Sequence, residues 1–173
     1  MSTLAKEKTY LKEFNQIRNR TLNLCKPLHT EDYVVQPIVD VSPPKWHLGH
    51  TTWFFEQFIL KSYMQGYREF HPDFNFVFNS YYESVGKRVL RAERGNLTRP
   101  SVTEVKEYRK YVDNEMNKFL EAYDNTDETI INLLLLGFSH EQQHQELLMT
   151  DVKFILGHNP LFPVYSDKII ENG

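Results

Sequence analysis

GFSHEQQHQELL, residues 137–148, sets His140 and His144 four residues apart, with Glu141 directly after the first. The string fits two chemistries. As H-E-x-x-H it describes a zinc peptidase in which Glu141 is the general base; as H-x-x-x-H-x-E it offers a pair of imidazoles on one helical face. The neighbours favour a helix in either case: Leu133, Leu136, His140, Gln143, His144, Leu147, Asp151 and Phe154 recur at three-and-four spacing and define one stripe. The histidines therefore fall in a seam expected to face the interior, where an unpaired imidazole costs roughly 1 to 3 kcal/mol.

Working outward, the same periodicity appears in three further segments, and no run alternates strictly enough for a half-buried strand. The expected fold is all-α, a four-helix bundle. The first helix runs from about Leu4 to Leu24, with Tyr10, Phe14, Ile17, Leu22 and Leu24 as its apolar side. The proline-bearing linker EDYVVQPIVDVSPP follows, and Ser42 is placed to cap a second helix that starts with Pro43 and Pro44 in its first turn and reaches about Met64. The third opens on a capping box, Ser101 with Glu104, and runs to about Tyr123. The fourth spans about Asp127 to Leu156, with Gly157 and then Asn159-Pro160 as its stop. Between the second and third helices lies a long loop, residues 66–100, rich in aromatic residues and arginine. Loops of that length are functional or disordered as a rule, and the aromatic content speaks against disorder.

Composition narrows the functional classes. The 173 residues suffice for one domain, and 23 acidic against 20 basic residues give a net charge of -3, with no basic excess for nucleic acid. The longest apolar run, IINLLLLGF, is broken by Asn132 and falls far short of the roughly 20 residues that span a bilayer. A single cysteine, Cys25, leaves no intramolecular disulfide, and the opening MSTLAKEKTY has no signal-peptide character, so the expected location is the cytoplasm.

Two histidines do not make a tight metal site. The second helix supplies more in KWHLGHTTWFFE, where His50 shares a seam with Trp53 and Phe54 and Gly49 leaves room for a close approach. A site of His50, His140 and His144 would keep open positions for water, dioxygen or substrate. A histidine on an apolar face is more often a hydrogen-bonded core residue than a ligand; the second histidine-bearing helix tips the balance toward a metal. Three imidazoles suit zinc, iron and nickel alike. His29, His71 and His158 sit in loops or beside prolines and are expected at the surface. The peptidase alternative lacks a third ligand, since QELLMTDVKF after His144 has neither glycine nor histidine at the required places.

Taken together, SPPKWHLGHTTWFFE, FNSYYESVGKRVLRAERG and GFSHEQQHQELLMTDVKFILGHNPLFPVY resemble the N-terminal, DinB-like domain of ergothioneine-biosynthesis sulfoxide synthases over nearly the whole chain. Those enzymes use non-haem iron and dioxygen to join the sulfur of γ-glutamylcysteine, or cysteine in some branches, to the imidazole of hercynine. The resemblance implies that His50, His140 and His144 are iron(II) ligands, that Gln143 hydrogen-bonds the acceptor imidazole, and that Arg88 and Arg91 hold the carboxylates of the thiol substrate. Glu146 is expected to point away from the ligand face.

The family continues into a second domain, related to formylglycine-generating enzymes, which supplies a catalytic tyrosine. On that pattern residues 1–160 are the metal-binding bundle and residues 161–173 begin the connection to that domain. On the same resemblance the catalytic tyrosine is expected on that domain and none is assigned in this chain, which is expected to be a fragment or one half of a split enzyme, inactive or nearly so without a separate C-terminal domain. The alternative is a stand-alone DinB-like thiol transferase or hydrolase using zinc or nickel at the same three histidines.

Overall fold

The computed structural model describes residues 3–80, 88–123 and 127–166, and among them every regular element is helical. Helix α1 is Thr3–Cys25 and α2 is Pro44–Phe55. The latter runs on through a π-helical stretch, Glu56–Leu60, into a last turn, α3, Lys61–Tyr63. Helix α4 is Phe74–Phe78, α5 is Val102–Ala122 and α6 is Glu128–His158. Helices α1 and α2 each pack against both α5 and α6. No described helix is long and apolar enough to cross a membrane.

The capping box is present as read: Ser101 Oγ accepts the Glu104 N–H at 3.2 Å, and Glu104 Oε2 accepts the Ser101 N–H at 2.7 Å. Other expectations need correction. Ser42 does not cap α2, whose N-cap is Pro43. Its N–H goes to Asp151 Oδ2 at 3.0 Å and its hydroxyl accepts from Arg94 at 2.8 Å, so the residue ties the start of α2 to α6 and to the 91–96 segment. Gly157 does not end α6, which continues to His158 before Asn159-Pro160. On α1, Phe14 and Ile17 are buried as expected, Leu22 is exposed, and Arg18, Thr21 and Cys25 join the inward face.

Every residue of α2 is buried, including Lys45, His47, His50, Thr51 and Thr52. A helix sunk this deep must satisfy each polar side chain inside the protein. Thr51 and Thr52 donate back to the backbone carbonyls of His47 and Leu48 at 3.1 and 2.8 Å. Their oxygens then accept from Arg109 at 3.2 Å and Arg18 at 2.8 Å, respectively. Both guanidinium groups converge on Glu141, which is 0 % exposed. Thr21 also donates to Glu141 at 2.6 Å, and Arg18 Nε reaches Asp113 at 2.6 Å. One buried carboxylate on α6 thereby clamps α1, α2 and α5. Its pKa reflects a balance: burial raises it, yet the charges of Arg109 and Arg18 outweigh burial and bring it down to about 2.

The aromatic segment after α3 is a lid packed on this frame. Phe70, Phe74 and Phe78 set their rings 5.0 to 6.0 Å from Tyr108 on α5. Glu56, in the π-helical stretch, holds the segment by accepting from the Tyr67 hydroxyl at 2.6 Å and the Phe70 N–H at 3.1 Å. Arg91–Asn96 adds a 3-10 helix, so the described residues of the stretch read as loop include two short helical pieces. Residues 81–87, the centre of the second family-like motif, and residues 167–173, most of the expected connection, lie outside the described residues.

Candidate metal centre

Helices α2 and α6 bring His50, His140 and His144 together, with one ring nitrogen from each lying within 4.8 Å of the others. The Nε2 atoms of His50 and His140 are 3.2 Å apart. Two imidazoles sharing an ion at metal–nitrogen distances of about 2.0–2.1 Å, with tetrahedral to right-angled geometry, separate their nitrogens by about 2.9–3.4 Å. The pair fits that spacing, and the all-nitrogen donor set suits a borderline divalent ion. These three residues could hold a metal ion.

The histidines are also kept in the protonation state that metals require. Burial pushes the His50 pKa well below the usual histidine value, with the neighbouring His140 adding to the effect. Burial likewise brings His140 down to about 4, against a small opposing pull from Glu141, and lowers His144, helped by His47 and His50. All three are neutral near pH 7 in the metal-free protein.

Local packing explains the ring orientations. Trp46, His50 and Trp53 follow one another at helical spacing on α2, and the His50 ring is stacked between the two indoles, 4.5 Å from Trp46 and 5.5 Å from Trp53. Its Nδ1 lies 2.6 Å from the Phe78 carbonyl, so this nitrogen carries the proton and Nε2 is left to accept a metal. Gly49 makes that contact possible, since a Cβ there would lie 2.1 Å from the Phe78 ring. His140 packs against Phe54 with ring centroids 4.8 Å apart, and its Nδ1 has no hydrogen-bond partner among the described residues. His144 Nδ1 is 2.9 Å from His47 Nδ1, and His47 Nε2 is 2.9 Å from Asp151 Oδ2.

A cavity of about 460 Å³ opens over the three rings. Gln143 is exposed and lines it. Arg91 lines it too and donates to the Asp40 carbonyl. Arg88 is not among the described lining residues; its Nη1 donates to the Ser80 carbonyl at 2.7 Å. Trp46 and Arg94 are among the wall residues that sequence reasoning did not place in the site. Arg94 lines the cavity, with its guanidinium 3.3 Å from the centre of the Trp46 ring and hydrogen bonds to Ser42 and Ser80. The signal for Trp46 was present in its four-residue offset from His50; nothing local singles out Arg94 from the other arginines of its segment.

Glu141 turns away from the cavity and both its oxygens are engaged by Arg18, Thr21 and Arg109, so it cannot take a proton from a substrate over the histidines. That removes the general base of the peptidase reading. Glu146 is exposed on another face, and His29, His71 and His158 are at the surface.

Among the described residues every regular element is helical, and two of the helices bring together three imidazoles that could hold a metal ion beneath an open cavity. Residues 13–148 match the DinB superfamily, and the chain belongs to that superfamily. No curated protein matches it.

Proposed function

We propose that this chain is the iron-binding domain of a non-haem iron sulfoxide synthase, joining the thiol of γ-glutamylcysteine or cysteine to hercynine with dioxygen. The observation that carries the reading is the three-histidine cluster opening onto a cavity with arginines and a glutamine on its wall. In the overall reaction one oxygen atom ends on sulfur, and the other leaves as water with the hydrogens of the S–H and of the imidazole C–H. Iron(II) held by His50, His140 and His144 would supply Lewis acidity toward the thiol and electron-transfer chemistry toward dioxygen.

The chain's own residues bind and orient. Gln143 presents an amide at the cavity wall, able to donate to one imidazole nitrogen or accept from the other. Arg91, on the cavity wall, would hold a carboxylate of the thiol substrate, and Arg88 would join it by giving up the Ser80 carbonyl. The Phe54, Trp46 and Trp53 rings around the histidines limit water on the protein side of the cluster. The catalytic tyrosine is assigned to a second domain, so turnover requires that domain as a partner.

The test is to load the chain anaerobically with iron(II), add γ-glutamylcysteine and hercynine, and follow oxygen uptake with and without a formylglycine-generating-enzyme-like domain. Iron binding with turnover only in the presence of that domain is expected. Full turnover by the chain alone contradicts the need for a partner. Retention of zinc or nickel with no oxygen uptake under either condition favours the thiol transferase or hydrolase alternative.

A further inference from the structure

A hydrogen-bonded chain runs behind the candidate metal centre from Ser42 through Asp151 and His47 to His144. The Ser42 N–H donates to Asp151 Oδ2 at 3.0 Å, and the same oxygen is 2.9 Å from His47 Nε2. His47 Nδ1 is 2.9 Å from His144 Nδ1. His47 is 3 % exposed and Asp151 is 8 % exposed, so these contacts are made inside the protein rather than through solvent.

The proton positions follow from the chemistry of the partners. An ionised carboxylate only accepts, so His47 must donate from Nε2. A neutral His47 then has a lone pair on Nδ1, and the His144 nitrogen facing it must be the donor. That places the His144 proton on Nδ1 and leaves Nε2 unprotonated. With the opposite arrangement, His47 Nε2 would turn a lone pair toward the carboxylate, a buried repulsion without compensation. The outcome for His144 thus matches that for His50, where the Phe78 carbonyl does the same work.

We propose that His47 and Asp151 are positioning residues for the metal centre, fixing the tautomer and ring direction of His144 through a carboxylate–imidazole–imidazole relay. The role rests on the reading of His50, His140 and His144 as metal ligands. The relay joins the first turn of α2 to the last part of α6, so packing of these two helices and readiness to bind metal are the same structural event. Outer partners of this kind, when removed, typically lower metal affinity by about 10- to 100-fold.

The test begins with the metal-free chain carrying 15N-labelled histidine, in a long-range proton–nitrogen spectrum recorded well above the ordinary histidine pKa. His144 is expected in the Nδ1–H form; finding it in the Nε2–H form overturns the proposal. Binding of cobalt(II), whose visible spectrum reports its ligands, is then compared across variants that keep helical content and thermal midpoint. His47→Phe retains the ring without its nitrogens and is expected to weaken cobalt(II) binding by about 10- to 100-fold. His47→Gln, whose amide can accept from His144 and donate to Asp151, is expected to recover most of that loss. A packing role alone predicts the reverse order, because Phe fills the site better than Gln. Should His47→Phe not fold, the tautomer of the wild-type chain and the cobalt(II) affinity of Asp151→Leu, which offers His47 no acceptor, decide: an Nε2–H His144, or unchanged affinity in that variant, overturns the relay. No cobalt(II) bound by the wild-type chain overturns the metal centre and this role together, whereas binding that His47→Phe leaves unchanged overturns this role alone.

Discussion

Glu141 and Arg109 form an ion pair inside the protein, with side chains 0 % and 1 % exposed, directly beside the candidate ligand His140. Adjacent residues on one helix thus have opposite tasks. Glu141 turns inward to join helices, and His140 turns toward the cavity.

Replacing Glu141 by Gln separates the two tasks. The substitution strands the Arg109 charge and leaves Arg18 with Asp113 as its remaining carboxylate, and breaking a buried pair in this way costs about 3–5 kcal/mol. Urea unfolding should show that loss, while the folded fraction keeps the wild-type metal stoichiometry. An unchanged unfolding midpoint would contradict the clamp.

Gly49→Ala sets two effects against each other. Alanine gains about 1 kcal/mol of helix propensity over glycine. The added Cβ, however, would lie 2.1 Å from the ring of Phe78, which is itself 0 % exposed. Overpacking at such a site costs about 1–3 kcal/mol and displaces the carbonyl that holds His50. A net loss of stability together with weaker metal binding is expected; a more stable variant with unchanged affinity would show that the approach is not needed.

The metal-free protein should lose stability in mild acid. His140 has a pKa of about 4 in the folded chain against an ordinary value of 6.5, with burial as the main cause. Between those values the unfolded chain binds a proton that the native state refuses. Stability is therefore complete above pH 6.5 and falls by about 1.4 kcal/mol per pH unit for this residue as pH drops toward 4. His50 and His144 shift in the same direction and steepen the fall. Glu141 adds a later loss, from its ordinary 4.5 down to about 2. Denaturation midpoints at about pH 7.5 and about pH 5 check the first stage, and equal midpoints would be inconsistent with buried neutral histidines.

Ser101→Ala tests the local reading of α5. Both capping-box hydrogen bonds are in place, and removing the hydroxyl should cost about 1 kcal/mol with no effect on the metal centre. Thermal unfolding alongside metal titration would reveal any coupling between the two.

The parts legible in the sequence are those encoded locally. The Ser101 box, the helical spacing of residues 137–148 and the pairing of His50 with His140 and His144 all depend on offsets within a turn or two, or on residue types rare in apolar seams. The orientation of α6 was harder. Its buried face is Leu134, Phe138, Glu141, Gln145, Leu148 and Val152, about one residue around from the stripe drawn through Leu136, His140 and Leu147. One position is about 100° of helix rotation, enough to move the histidines from the centre of the seam to its cavity-facing edge. The shift follows from Glu141, which faces the interior because Arg18, 123 residues away, and Arg109, 32 residues away, neutralise it there. Ser42 misled for the same reason: its distant partners Asp151 and Arg94 outcompete the local cap.

Metal content decides the matter at the heart of this reading. Equilibrium titration of the metal-free chain with iron(II) under anaerobic conditions should give one ion per chain, and a folded His140→Ala, His144→Ala double variant should bind none. Equal iron(II) binding by the wild-type chain and that double variant would contradict a metal centre at His50, His140 and His144.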